Sequence, residues 1–421
     1  MSAMNLNVQS EIGQLEGVIL HSPGAEVENM TPGTAQRALY SDILNLSIAK
    51  REYAQLKGVL EKYTTVYQVM DLLAAVLEDY RHRESLIGKI CIEEGATDYF
   101  DDMMGMPSAE LARCLIEGVP AKINSLTSYL NDEYYALYPL YNFYFTRDAS
   151  VTIGNNALIC RMANKVRMRE SLIMEAIFKG SGSFNCNIIN AHDFHPGNAD
   201  IFMEGGDILI ARDDILLIGN GTRTSTQGID MLVSRLCRNK GEGKKHVIVQ
   251  QLPHTPESFI HLDMVFTLLD RDRCMVFEPL ILRNNQYQTV HMTIEDGKVT
   301  SIKSVADIPS ELRKLGMDLQ PVICGVSTDE WNQEREQWHS GANFFAIAPG
   351  KILSYARNIH TLDELNKNGF EIIPAWDIIE GKRDMNDYER CVVTIEGSEL
   401  PRGGGGARCM TMPVSRKSVA W

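Results

Sequence analysis

Five times along this chain two short apolar runs come close together and are followed by helical spacing or a further strand. The pairs lie near residues 145–160, 202–218, 264–277 and 344–355, and a fifth begins at 392. Each reads as a hairpin. Val151–Ile153 and Leu158–Arg161 form strand material together with Phe143–Phe145. Ile201–Met203 pairs with Ile208–Gly219, which turns at Asp213-Asp214. Met264–Leu269 and Cys274–Phe277 meet across Asp270-Arg271-Asp272-Arg273, and Phe344–Ile347 meets Ile352–Tyr355 across Pro349-Gly350. Helices are predicted over Arg167–Phe178, Ser225–Arg238, Pro309–Leu315 and Thr361–Asn368, with single strands at Asn187–Ile189, His246–Leu252, Pro321–Cys324 and Phe370–Pro374. The last unit, opening with Val392–Ile395, has no evident end of its own, and the N-terminal run Gly17–His21 can complete it. Five β-rich units, the fifth closed by both ends of the chain, describe a ring. An ordinary α/β sheet is the competing arrangement. In a ring, residues at the same place in each unit converge on one central cavity.

A second texture interrupts the first. From 68 to 135 the spacing is helical: Gln68–Asp79, Arg83–Glu94, a helix opening at Ser108, and Ala121–Leu130, with no convincing strand between them. Thr34–Lys62 reads as a long amphipathic helix upstream. The expected organisation is α/β, with residues 1–67 and 136–421 forming the β-rich catalytic part and 68–135 an inserted α-helical bundle.

Charge and cysteine usage narrow the function. Lys and Arg number 41 against 55 Asp and Glu, a formal charge of −14. An acidic chain without a basic stripe is a poor partner for nucleic acid or an anionic membrane, and a better one for something cationic. No apolar stretch approaches the length of a membrane span, and no basic region followed by an apolar stretch opens the chain. The 9 cysteines are widely spaced without a C-x-x-C pair, which argues against a disulfide framework or zinc ribbon and for a reduced, cytoplasmic protein.

Four segments near the hairpins bear residues suited to chemistry: Phe145-Thr146-Arg147-Asp148, Met203-Glu204-Gly205-Gly206-Asp207, His261-Leu262-Asp263, and the glycine run Gly403–Gly406 leading through Ala407-Arg408 to Cys409-Met410-Thr411-Met412-Pro413. In a strand, His261 and Asp263 share a face and line one pocket. Taken alone, the pair reads equally well as a core histidine beside a solvated acid. The adjacent glycines after Glu204 allow close approach of a ligand, or simply make a turn. A glycine run can carry a thiol into a cavity; the packed composition after Cys409 argues against a loose tail. Together, one thiol, one imidazole and several carboxylates suggest covalent catalysis on a cationic electrophile. Carboxylates would oppose a developing oxyanion, but they pair with a planar guanidinium. One thiol, one imidazole and acids spread over several units lack the spacing of a metal site.

These four segments, in this order and spread over nearly the whole chain, resemble arginine deiminase of the guanidine-modifying superfamily. The resemblance implies a five-bladed ββαβ propeller ring of pentein type, no metal and no organic cofactor. It implies Cys409 as nucleophile and His261 as acid and base, with Asp148 and Asp263 gripping the guanidinium and Glu204 beside them. Asn142, Arg167 and Arg223 fall on positions that bind the substrate α-carboxylate, Phe145 on one that packs against its stem, and Leu39 on a stretch that covers the site. Relatives commonly carry an arginine five residues before the cysteine; here Gly404 stands there, with Arg402 and Arg408 nearby. The implied substrate is free L-arginine, hydrolysed to L-citrulline and ammonia through a covalent Cys-amidino intermediate, by a homo-oligomer, dimer or tetramer. Alternatives are a deiminase of another guanidine such as agmatine, an amidinotransferase, and a non-catalytic arginine-binding protein.

Overall fold

A computed structural model describes residues 3–35, 37–40, 42–130, 134–193, 201–238 and 243–421. The chain is α/β. Its strands form five sheets of three to five strands, and two further strand pairs, among the described residues. In the first, Ser150–Ile153 runs antiparallel to Asn156–Ile159, which pairs in parallel with Asn187–Asn190. The second repeats this order with Ile208–Arg212, Ile215–Asn220 and Lys245–Gln251, and adds a hairpin, Thr289–Glu295 and Lys298–Val305, that the sequence reading did not anticipate. The third joins Phe266–Asp270, Arg273–Val276 and Gln320–Ile323. In the fourth, Phe345–Ala348 pairs with Lys351–Tyr355, then Cys391–Ile395, then Glu371–Pro374. The fifth unites the two ends of the chain: Leu15–Leu20 lies between Met412–Arg416 and Thr65–Gln68.

The fifth unit therefore begins at Met412 and not at 392. Val392–Ile395 belongs to the interior of the fourth sheet, where all five residues of Cys391–Ile395 are buried. No sheet closes on itself among the described residues. The sheets instead meet through their leading strands: Ser150–Ile153 packs beside Met412–Arg416, Phe266–Asp270 beside Phe345–Ala348, and Phe345–Ala348 beside Leu15–Leu20. The second sheet reaches the first through a bridge from Arg161 to Met203, and the third through the turn at Leu262–Met264. Runs such as Ile215–Asn220 are apolar on both faces because helices and neighbouring sheets cover both.

Helix boundaries follow capping chemistry. The helix expected over 34–62 starts only at Leu46, where the Asn45 side chain accepts the Ile48 N–H; Pro32–Ala35 is a separate turn, and residues 36 and 41 lie outside the described residues. Asp79 caps Tyr80–Glu94 in the same way, and Gly95, with φ at 71°, ends it. Helix forms over Leu126–Leu130 and not from 121, while Val119–Pro120 and Tyr135–Leu137 make a short pair within a segment read as wholly helical; residues 131–133 lie outside the described residues. The helices of 69–117 pack on Met168–Gly180 and share one buried cluster with the first two sheets, from Leu72 and Leu111 to Val151 and Ile208. Phe143–Phe145 is a buried turn, not a strand: Phe143 and Phe145 donate back to Leu140 and Asn142. Three aromatic side chains in a row satisfy strand propensity, but here Tyr144 and Phe145 fill space under the glycine loop while Phe143 packs against His21 in a separate cluster. No described helix is long and apolar enough to cross a membrane.

Candidate active site

Short turns stand immediately before the leading strands, and they carry the polar side chains of one cavity of about 350 Å³. One helical turn, Thr146–Ala149, delivers Asp148 before the first sheet; Gly205–Asp207 follows Glu204 before the second; Leu262–Met264 flanks His261 before the third. The turn at Ala407–Met410 delivers Cys409 before the fifth. Leu39, Asn142, Phe145, Asp148, Arg167, Arg223, His261, Gly404 and Cys409 all line the cavity. Glu204 and Asp263 stand directly behind it, against His261 and Cys409 respectively.

His261 and Asp263 converge for a reason other than the one expected. They lie in a 3-10 turn and not in a strand, so they do not share a pleated face. His261, extended at the turn's start, points to Glu204; Asp263 points to Cys409 and Arg408. Nε2 of His261 meets Glu204 Oε2 at 2.9 Å, and Nδ1 lies 3.7 Å from Asp148 Oδ1; those last two atoms have no hydrogen-bond partner. Gly206 is required here, because a Cβ on it would lie 2.4 Å from Nδ1 of His261. Burial opposes a charge on the imidazole, but Asp148, the Glu204 hydrogen bond and Asp207 outweigh it and raise the histidine to about 9. Burial likewise pushes Glu204 up, while Arg223, His261 and Arg167 hold it down at about 2. The pair is an imidazolium and a carboxylate at neutral pH.

The thiol is in a different state. Cys409 Sγ lies 3.7 and 3.9 Å from the two oxygens of Asp263. Burial first, then Asp263 and Asp148, push it well above the ordinary thiol value, against a Gly406 backbone hydrogen bond and Arg408. With these neighbours Cys409 is a neutral thiol at neutral pH.

Arg167 is fully engaged. Its Nε and Nη2 donate to Glu170 at 3.0 and 2.8 Å, Nη1 donates to Asp148 Oδ2 at 2.7 Å, and Nη2 reaches the Asn142 carbonyl at 3.4 Å. Arg223 is freer, with one 3.7 Å approach to Glu204 and a side chain 17% exposed. Asn142 donates to the Ala38 carbonyl at 2.8 Å, tying the Leu39 segment to the cavity wall; Leu39 itself holds a φ of 64°, rare outside glycine.

Neither nearby arginine takes the place of Gly404 in this arrangement. Arg408 is buried, donating to both oxygens of Glu11 at 3.1 and 3.0 Å and to Asp263 at 2.8 Å. Arg402 lies on the outer side of the loop with Asp42 and Glu399. Gly404 has a φ of 86°, which a side chain would strain, and the flanking Gly403 and Gly405 lie against the Phe145 ring. Asp148, Glu204 and His261 offer ligand atoms within 4.8 Å of one another, the spacing of a metal site. Arg167, at 2.7 Å from Asp148 and 3.9 Å from Glu204, and the imidazolium of His261 occupy the other donor atoms and leave Asp148 Oδ1 as the one open carboxylate oxygen of the three residues, so the set does not suit a metal ion, which needs several free donors at once.

Glu170 and Asn343 also reach the site and were not anticipated. Glu170 sits on a helix whose spacing alone explains it. Asn343 had a readable signal: it stands two residues before Phe345–Ala348, as Asp148 stands two before Ser150–Ile153.

Comparison with known proteins agrees with this geometry. Residues 36–416 match the family described as arginine deiminase. An arginine deiminase of Oenococcus oeni is 31% identical over 432 aligned residues, covering 98% of each chain. One of Staphylococcus aureus is 30% identical, covering 98% of this chain and 99% of the relative. Among solved structures, the N-terminal domain of ArgZ, an arginine dihydrolase from the ornithine–ammonia cycle in cyanobacteria, superposes with a TM-score of 0.53 at 15% identity, covering 96% of this chain and 98% of that one. SxtG, an amidinotransferase from Microseira wollei, reaches the same TM-score at 13% identity, with 98% of each chain covered. Those two structures speak for the fold alone. The match across 36–416 and relatives 30% or more identical over nearly the full length are decisive: the chain belongs to the arginine deiminase family.

Proposed function

We propose that this enzyme hydrolyses free L-arginine to L-citrulline and ammonia by covalent catalysis at Cys409. The observation that carries the reading is a thiol, an imidazolium and an open carboxylate oxygen, Asp148 Oδ1, arranged at one cavity. The guanidinium enters with one edge toward Asp148 Oδ1 and the other toward Asp263 Oδ1. Its charge offsets the field of those acids and lets Cys409 release its proton to solvent, His261 being already protonated. The thiolate adds to the central guanidinium carbon. As the carbon–nitrogen bond breaks, His261 gives its proton to the leaving nitrogen and ammonia departs, leaving an S-amidino adduct. His261 then takes a proton from water as the resulting hydroxide adds to the same carbon; the carbon–sulfur bond then breaks while the adduct's hydroxyl gives up its proton to solvent, releasing the neutral ureido product and the thiolate. Glu204 keeps the imidazole in register throughout. Arg223, the freer of the two arginines, meets the α-carboxylate with Asn142, while Arg167, held by Glu170 and Asp148, borders that subsite and fixes Asp148 in place; Phe145 packs along the stem, and Leu39 and Gly404 cover it.

The five sheets are best read as five ββαβ blades of a pentein-type ring around this cavity, a reading supported by the strand contacts, bridge and turn that join each sheet to the next. Residues 68–135 are then an insert into a catalytic fold built from 1–67 and 136–421. The nine cysteines, all unpaired, fit a reducing compartment such as the cytoplasm.

The test is the protein with L-arginine alone. Citrulline and ammonia in equal amounts are expected; citrulline formation that waits for an added amine acceptor would assign it to amidino transfer instead.

A further inference from the structure

Asn343 joins the fourth sheet to the nucleophile. Its side chain, 1% exposed, is wedged between the Cys409 turn and the Asp263 turn. Oδ1 accepts the backbone N–H of Arg408 at 2.9 Å. Nδ2 donates to the Asp263 carbonyl at 3.1 Å and lies 3.2 Å from Sγ of Cys409, with Met264 Sδ at 3.6 Å. The amide cannot be turned round. Rotation would set its NH₂ against the Arg408 N–H and its oxygen against the Asp263 carbonyl, losing both bonds. The hydrogen aimed at sulfur is therefore fixed by two backbone groups. Gly406 leaves room for this amide, since a Cβ there would lie 2.6 Å from Asn343 Oδ1.

We propose that Asn343 is a catalytic residue: its amide N–H stabilises the Cys409 thiolate, both as it forms and as it leaves the carbon in the second half of the reaction. The inference rests on the reading of the site as a thiolate-dependent deiminase. The groups around the sulfur make such a donor useful. Burial, Asp263 and Asp148 oppose a negative sulfur, Arg408 is committed to Glu11 and Asp263, and His261 is bound to Glu204. A neutral N–H favours the thiolate without repelling the guanidinium that must come beside it; a lysine or arginine there would do both.

The experiment follows the pH dependence of Cys409 alkylation by iodoacetamide, read on the Cys409 peptide by mass spectrometry, in wild type, Asn343→Ala and Asn343→Asp, alongside kcat and KM for arginine. Removing a hydrogen bond to a charged group should move the alkylation midpoint up by about one pH unit or more in Asn343→Ala. The near-isosteric Asn343→Asp, which turns a donor into an acceptor, should move it further. In both, kcat should fall roughly tenfold to a hundredfold with little change in KM. A folded Asn343→Ala with the wild-type midpoint and kcat overturns the proposal; if that variant does not fold, an unchanged midpoint in Asn343→Asp does so. Alkylation needs no arginine, so it still reports on Asn343 if the wild type makes no citrulline, the result that would defeat the parent reading instead.

Discussion

His261 and Glu204 share a 2.9 Å hydrogen bond in full burial, with side chains 1% and 0% exposed. The bond makes the pair a proton store whose content depends on folding. His261 is raised from 6.5 to about 9, so its contribution to stability is complete below about 6.5 and fades as pH rises through about 9. Glu204 is lowered from 4.5 to about 2, so its contribution is complete above 4.5 and fades as pH falls through about 2. The melting-temperature gap between wild type and Glu204→Gln should therefore be widest between about 4.5 and 6.5 and shrink toward pH 9. A gap that widens above pH 7 would count against this pairing. Histidine NMR should show His261 holding its proton well above neutrality in wild type and releasing it at lower pH in Glu204→Gln.

Cys409→Ala should reduce citrulline formation by roughly 10³-fold or more while leaving the melting temperature close to wild type, since the thiol's hydrogen-bond partners are few. Rapid quenching of wild type with arginine should reveal an amidino adduct by intact mass, absent from Cys409→Ala. Full turnover in the variant would rule out the covalent route.

The two cavity arginines should separate stability from recognition. Arg167→Gln strips three buried charge-assisted bonds from Glu170 and Asp148, a loss on the order of 3–5 kcal/mol that should appear as a large drop in melting temperature. Arg223→Gln should leave the melting temperature nearly unchanged and raise KM for arginine, with much less effect on agmatine, which has no carboxylate. An equal effect on both compounds would place Arg223 outside carboxylate recognition.

Two glycines should respond to the same substitution in opposite ways. Gly206→Ala puts a Cβ 2.4 Å from the His261 ring, and the displaced imidazole should cost ~10²-fold in turnover. Gly404→Ala meets nothing within 4 Å, but its φ of 86° carries a strain of roughly 1 kcal/mol, visible as a modest loss of melting temperature. Activity assays and thermal melts on both variants distinguish contact from conformation; equal loss of turnover in the two would contradict the assignment.

Much of the site was legible in the sequence because its residues cluster beside turns. Asp148, Glu204, His261 and Cys409 each lie close to a run of strand-forming residues, so local pattern led to them. What escaped was settled at a distance. Glu11 gives no local sign that it will hold Arg408, and Glu170 follows a helical repeat that explains it without reference to Arg167. Asn343 looks like a turn residue until the spacing from Asp148 to its strand is laid beside it. The misplaced start of the fifth unit has a similar origin: Cys391–Ile395 and Met412–Arg416 are both short apolar runs, and which one pairs with Leu15–Leu20 is decided by register across the whole chain. The aromatic run at 143–145 reads as strand by propensity, and tertiary packing overrode it, with Tyr144 and Phe145 beneath the glycine loop and Phe143 against His21.

The ion pair between Glu11 and Arg408 spans 397 positions of sequence, and Leu15–Leu20 is paired on both sides only once Met412–Arg416 is in place. The surroundings of the thiol are thus assembled from segments 397 positions apart in the chain. Cys409 stands beside Asp263 only when the turn at Ala407–Met410 and the segment bearing Glu11 have closed on each other, so a change at either end of that contact reaches the thiol.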